Sequence, residues 1–83
     1  MEATLYFKDM SHRDHNNIPT RVYRVEHSKM LIEILDSNHI QGSAHYFSSI
    51  RSRDDFIEKI KEHILRISND ELKEIQSYWK HNQ

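Results

Sequence analysis

Apolar residues along the chain follow two periods, and the change between them near residue 50 separates a strand-rich part from a helix-rich part. Residues 3–8 alternate, with Leu5 and Phe7 on one side and Thr4, Tyr6 and Lys8 on the other, which predicts a first strand. The stretch from Asp9 to Pro19 has no apolar period, carries Ser, Asp, Asn and the only proline, and predicts a loop. Residues 20–27 and 30–36 predict two paired strands whose Tyr23, Val25, Met30, Ile32 and Ile34 share a face. A fourth strand is expected over 39–47, with Ile40, Gly42, Ala44 and Tyr46 turned inward.

From Ser52 the period lengthens. Phe56, Ile57, Ile60, Ile64 and Ile67 fall within an arc of about 100° when each residue turns about 100°, which predicts a helix over 52–67. Ser52 is its expected cap, because a serine hydroxyl there accepts from a free backbone N–H. Ser68-Asn69-Asp70-Glu71 carries a second capping signal and predicts a helix over 69–81, with Leu72, Ile75, Tyr78 and Trp79 on its apolar side. The expected fold is therefore α+β. A four-stranded antiparallel sheet, a β-meander within residues 1–50, is backed by two C-terminal helices packed on one face, and residues 1–83 form a single domain.

Composition narrows the function classes. A domain of 83 residues buries only about two-thirds of the surface its unfolded chain exposes, which leaves little core around a large active-site cavity. The absence of cysteine excludes disulfides and thiolate metal sites. No apolar run approaches the ~18 residues of a membrane span, and the first residues lack the basic-then-apolar layout of a signal peptide. The expected location is the cytoplasm, or the host cytoplasm if the chain is viral. The 12 basic and 13 acidic residues are mixed along the chain, without the basic excess that phosphate contacts require.

Several constellations invite chemistry. His12-Arg13-Asp14-His15, with Asp9 nearby, offers imidazole and carboxylate ligands for zinc or nickel. No third histidine follows at a metal-site spacing, so the segment reads as a solvated polar loop and no metal or other cofactor is expected. Gly42 is the only glycine, which excludes a glycine-rich phosphate cradle. His45 and His63 border apolar positions but have no nucleophile beside them, so no catalytic residue is assigned and the chain reads as non-enzymatic. Arg21, Arg24 and Lys29 cluster near Tyr23, a pattern that suits stacking on nucleic acid, yet Glu26 and Glu33 interrupt it.

The sheet's outer face carries the leading expectation. Leu31, Glu33 and Leu35 would face away from the helices together with Tyr6, Val22, Arg24 and His45. An apolar patch rimmed by charges marks a binding or dimer surface. Tyr6, Arg24, Leu31, Glu33 and Leu35 are accordingly the candidate partner-binding residues, the apolar groups as anchors and the charged pair for orientation. The expected partner is a protein, with a second copy of the chain among the candidates; nucleic acid, bound through Tyr23, Arg24 and Lys29, is the lesser alternative. A competing expectation is that loop 9–19, carrying Ile18, folds across this face.

The run Gly42-Ser43-Ala44-His45-Tyr46-Phe47-Ser48-Ser49, followed by Asp54-Asp55-Phe56-Ile57, resembles the last strand and first helix of small phage-encoded type I anti-CRISPR proteins. The resemblance covers roughly residues 20–65, with one extra residue between Gly42 and Ala44. It implies a four-stranded sheet with two helices and a non-enzymatic inhibitor of a bacterial defence complex. It assigns no individual functional residue.

Overall fold

Strand Thr4–Asp9 (β1) pairs on one side with Arg21–Glu26 (β2), and Leu31–Asp36 (β3) and His39–Tyr46 (β4) continue the meander outward. The chain then forms helix Ile50–Ile60 (α1), a 3₁₀ turn at Lys61–His63, strand Ile64–Ile67 (β5) and helix Asn69–His81 (α2). The computed structural model describes residues 3–81, and for residues 39–41 the backbone alone. All neighbouring strands are antiparallel, in the order β4-β3-β2-β1-β5. The α+β class, the antiparallel sheet and the two helices are as the sequence predicts; the sheet has five strands instead of four.

The fifth strand explains where helical periodicity misleads. Ile64 and Ile67 continue the α1 stripe at helical spacing, which is why a helix over 52–67 is expected. The helix instead ends at Ile60, and residues 64–67 pair with the free edge of β1, Asp9 opposite Ile64 and Tyr6 opposite Ile67. Two strand residues three apart point to opposite faces. Ile64 and Ile67 are both buried because both faces of the sheet are covered there.

Register fixes those faces. Tyr6, Arg24, Glu33 and Ala44 lie in one cross-strand row, so one face carries these together with Lys8, Val22, Leu31, Leu35, Tyr46 and Ile67. Helix α2 packs there: Leu72 and Ile75 close a core with Val22 and Ile67, against which Tyr6, Leu35 and Trp79 pack. Lys8 Nζ reaches Glu71 Oε2 at 2.7 Å and ties β1 to the first turn of α2. Helix α2 begins as its capping signal predicts, with the Glu71 amide donating to the Ser68 hydroxyl at 3.1 Å.

The opposite face carries Val25, Ile32 and His45, and α1 lies over it. Phe56 of α1 sits 5.2 Å from the His45 ring and 5.5 Å from that of Phe47. The two helices thus flank opposite faces, a correction to the expected packing on one face. A strand between them is the reason: β5 carries the chain past the sheet edge before α2 starts. The cap of α1 also moves, since Ser49 accepts from the Ser52 amide at 3.0 Å and Ser52 is inside the helix.

Strand β4 is out of the expected phase. Ala44 opposes Glu33 and Tyr46 opposes Leu31, whereas Ser43 and His45 share the face of Ile34 and Ile32. The register breaks between Ile34 and Asp36, opposite Gly42, whose φ of +71° is open to glycine at little steric cost. Gly42 therefore serves the backbone and not helix packing. The inward position expected for Ile40 concerns a side chain outside the described residues.

Candidate functional site

Helix α2 divides the face that the sequence singles out. Leu35 and Tyr6 pack against the α2 core, so neither is a free anchor. The reason is the covering helix: it lies over the Val22–Leu35 end of the sheet and satisfies its apolar side chains. Arg24, Leu31 and Glu33 share this face by register, Leu31 is outside the cluster that packs with α2, and β4 adds Tyr46 directly across from Leu31. Tyr46 is 74% exposed and Leu31 is half-buried, so an aromatic ring and an aliphatic side chain meet at a water-facing edge. Tyr46 is the residue that sequence reasoning misplaced, because a one-residue slip in strand phase moves a side chain to the other face.

Charged groups rim this patch in pairs. Arg24 Nη2 donates to Glu26 Oε1 at 3.0 Å, and Arg24 Nη1 lies 3.7 Å from Glu33 Oε2. The Lys29 ammonium binds Glu26 in turn. That hydrogen bond and the nearby Arg24 hold the Glu26 carboxyl below its ordinary range, and the same bond to Glu26 raises Lys29. The patch therefore presents fixed charges of both signs.

The residues of the nucleic-acid alternative do not converge. Arg24 and Tyr23 are consecutive in β2 and point to opposite faces. The Tyr23 hydroxyl is committed to Asp9 Oδ2 at 2.6 Å, and burial together with that bond raises its pKa to about 12. Arg21 is paired with Asp36 at 3.4 Å. Each basic group of the cluster thus already has a carboxylate neighbour.

Asp9 also resolves the histidine loop. Its buried carboxylate accepts from the Ser11 amide at 2.9 Å and the Ser11 hydroxyl at 2.6 Å, and it lies 3.0 Å from His12 Nδ1. A nucleophile–histidine–carboxylate relay needs the hydroxyl and the carboxylate on different ring nitrogens. Here Ser11 approaches the same Nδ1, at 3.2 Å, and its hydroxyl proton is directed to Asp9. The cluster is a loop staple. Among the described residues, no three histidine or acidic side chains come together as metal ligands would.

The rest of that loop folds against the end of α2 instead of crossing the sheet. Asp14 Oδ1 accepts from the amides of Asn16 and Ile18 at 2.8 and 3.0 Å and organises a tight turn, with Asn17 at a φ of 67°. Asn16 donates to the Tyr78 hydroxyl at 2.7 Å, and the Trp79 indole N–H donates to the Pro19 carbonyl at 2.8 Å. Between loop, α2 and the β3–β4 turn lies a cleft of about 340 Å³, with Asp14, His15, Asn16, Asn38, Tyr78 and Trp79 among its walls.

Arg53 is the other residue that the sequence hides. It is buried within α1, and its Nη1 reaches the carbonyls of Glu26, His27 and Lys29 at 2.8, 3.2 and 2.6 Å. It clamps the β2–β3 turn to α1. No family model matches the chain, and neither the curated proteins nor the solved structures contain a match to it. Among the described residues no helix is long and apolar enough to cross a membrane.

Proposed function

We propose that this chain is a non-enzymatic binding protein that docks stoichiometrically on a partner protein, as an inhibitor or regulator, through the part of the sheet around Leu31 and Tyr46. The observation that carries the reading is Tyr46, 74% exposed and paired across the strands with Leu31 on a face whose other end is buried by α2. An exposed tyrosine beside an aliphatic group, rimmed by charges, is the composition of a protein-interface core and rim. Arg24 and Glu33, close together, favour a partner whose own charges are mixed, since unlike neighbours orient a partner without attracting a uniformly charged polymer. The pairing of Arg24, Lys29 and Arg21 with carboxylates weighs against nucleic acid. The resemblance to phage-encoded inhibitors would make the partner a bacterial defence complex.

The test is a double substitution, Leu31→Asp with Tyr46→Ser, beside a control, Leu65→Asp, at the far edge of the same face, where Leu65 is 53% exposed. The wild-type chain and the control should retain one protein partner, or a second copy, in a fixed ratio by light scattering. The double variant should lose it with an unchanged thermal unfolding curve. Retention by the double variant would move the site elsewhere. Copurifying nucleic acid released steeply by salt would replace this reading with the nucleic-acid alternative.

A further inference from the structure

The cleft at the end of α2 is remote from Leu31 and Tyr46 in the strands: its β3–β4 turn wall follows Asp36, at the other end of β3. We infer that it is a binding site for an organic cation, a guanidinium or alkylammonium group. Three independent features of the walls agree on the sign of the ligand. First, among the described residues Asp14 is the one carboxylate in the lining, and the basic groups there are limited to the His15 imidazole, with no lysine or arginine. The bond from the Ile18 amide, and those from Asn16 and Tyr78, hold the Asp14 carboxyl below its ordinary range, so it stays charged at neutral pH. Second, the aromatic residues Tyr78 and Trp79 line the cleft, and a cation near an aromatic face is attracted by the ring quadrupole. Third, both aromatics belong to the last turn of α2, where the helix dipole is negative. Lys80 and His81 share that turn but do not line the cleft.

The walls are also fixed in advance. The Asp14 turn, the Asn16–Tyr78 bond and the Trp79–Pro19 bond hold loop and helix together, and the Ser37 amide donates to the Thr20 carbonyl at 2.9 Å beneath them. A site ordered before binding loses less entropy when its ligand enters. Among the described residues a phosphate or carboxylate ligand would find no lysine or arginine in the lining, only the His15 imidazole, and it would face the charged Asp14.

Trp79 is the only tryptophan, so its fluorescence reads the cleft directly in the full chain. Titration with N-acetyl-arginine amide and with tetramethylammonium chloride, at matched ionic strength, should each give a saturable change. The neutral isostere N-acetyl-citrulline amide should give none. Asp14→Asn keeps the oxygen that accepts from Asn16 and Ile18 and should weaken cation binding at least about fivefold. Asn38→Lys, at an exposed rim position, supplies a second variant should the first disturb the turn, and it should weaken binding similarly. A capped Gly-Arg-Gly peptide that binds more tightly than N-acetyl-arginine amide assigns the cation to a protein side chain; equal affinity assigns it to a small-molecule cation. A response to citrulline equal to that for arginine, or no saturable change up to tens of millimolar, would overturn the cation site. Neither result bears on the Leu31–Tyr46 surface.

Discussion

The hydroxyl of Tyr23 donates a 2.6 Å hydrogen bond to the buried carboxylate of Asp9, joining the end of β1 to the middle of β2 on the face opposite α2. Burial alone would raise the Asp9 pKa, but bonds from the Ser11 hydroxyl, Tyr23 and the Ser11 amide, with His12 nearby, outweigh it and lower the value. A lowered carboxyl contributes stability that is complete above the ordinary range near pH ~4 and is lost as pH falls through the depressed value. Tyr23 has the opposite sign. Its raised pKa of about 12 makes its contribution complete below roughly pH 10 and lost as pH rises toward that value. Urea unfolding across pH should therefore show Asp9→Asn costing about 1–3 kcal/mol near neutrality and flattening the acid limb. Tyr23→Phe should cost about 1 kcal/mol and flatten the alkaline limb.

Arg53 places one guanidinium nitrogen among three turn carbonyls while its Nη2 meets Asp54 at 2.9 Å. Arg53→Met keeps the stem and leaves those carbonyls unpaired, at a cost of about 2–4 kcal/mol in chemical denaturation. Lysine should restore only part of this, since an ammonium does not reproduce the planar fork. Faster hydrogen exchange at the Lys29 amide, which donates to the Glu26 carbonyl within the same turn, gives a local readout.

Leu31 and Leu35 lie on the same face of β3 and should respond differently. Leu35→Asp puts a carboxylate into the Val22–Ile75 core and should destabilise by about 3 kcal/mol or more, seen as a large fall in melting temperature. Leu31→Asp should change stability by less than about 1 kcal/mol, because water already reaches that position. Equal losses would mean that α2 covers more of the sheet than its contacts indicate.

A Cβ at Gly42 would stand 2.9 Å from the Ile34 carbonyl oxygen, and the backbone there is left-handed. Gly42→Ala combines both strains and should cost about 1–3 kcal/mol by thermal or urea unfolding. An unchanged midpoint would show that the bend relaxes freely.

Alternation of apolar with polar or aromatic positions makes the meander legible in the sequence, as at Leu5, Phe7, Tyr23 and Val25. The Ser68 capping signal is equally plain, and α2 follows it over the expected span. What is hidden depends on both faces being covered. Ile64 and Ile67 satisfy a helical spacing and a doubly buried strand alike, and only the open edge of β1 decides between them. The same ambiguity assigned both helices to one face and left Tyr6 and Leu35 looking free. The shared face of Arg24, Leu31 and Glu33 is legible because it needs only strand alternation. Tyr46 required the register of β4, which a left-handed glycine resets, and Arg53 required knowledge of which turn meets α1.

The left-handed residue in β4 has a consequence for self-assembly. An outermost strand of this length, if straight, would offer other chains a flat row of backbone groups on which to stack. The kink restricts the regular stretch to Ser43–Tyr46, running beside Leu31–Ile34, before pairing resumes at Asp36 and His39. Open-ended pairing is thereby discouraged at the margin nearest the exposed tyrosine.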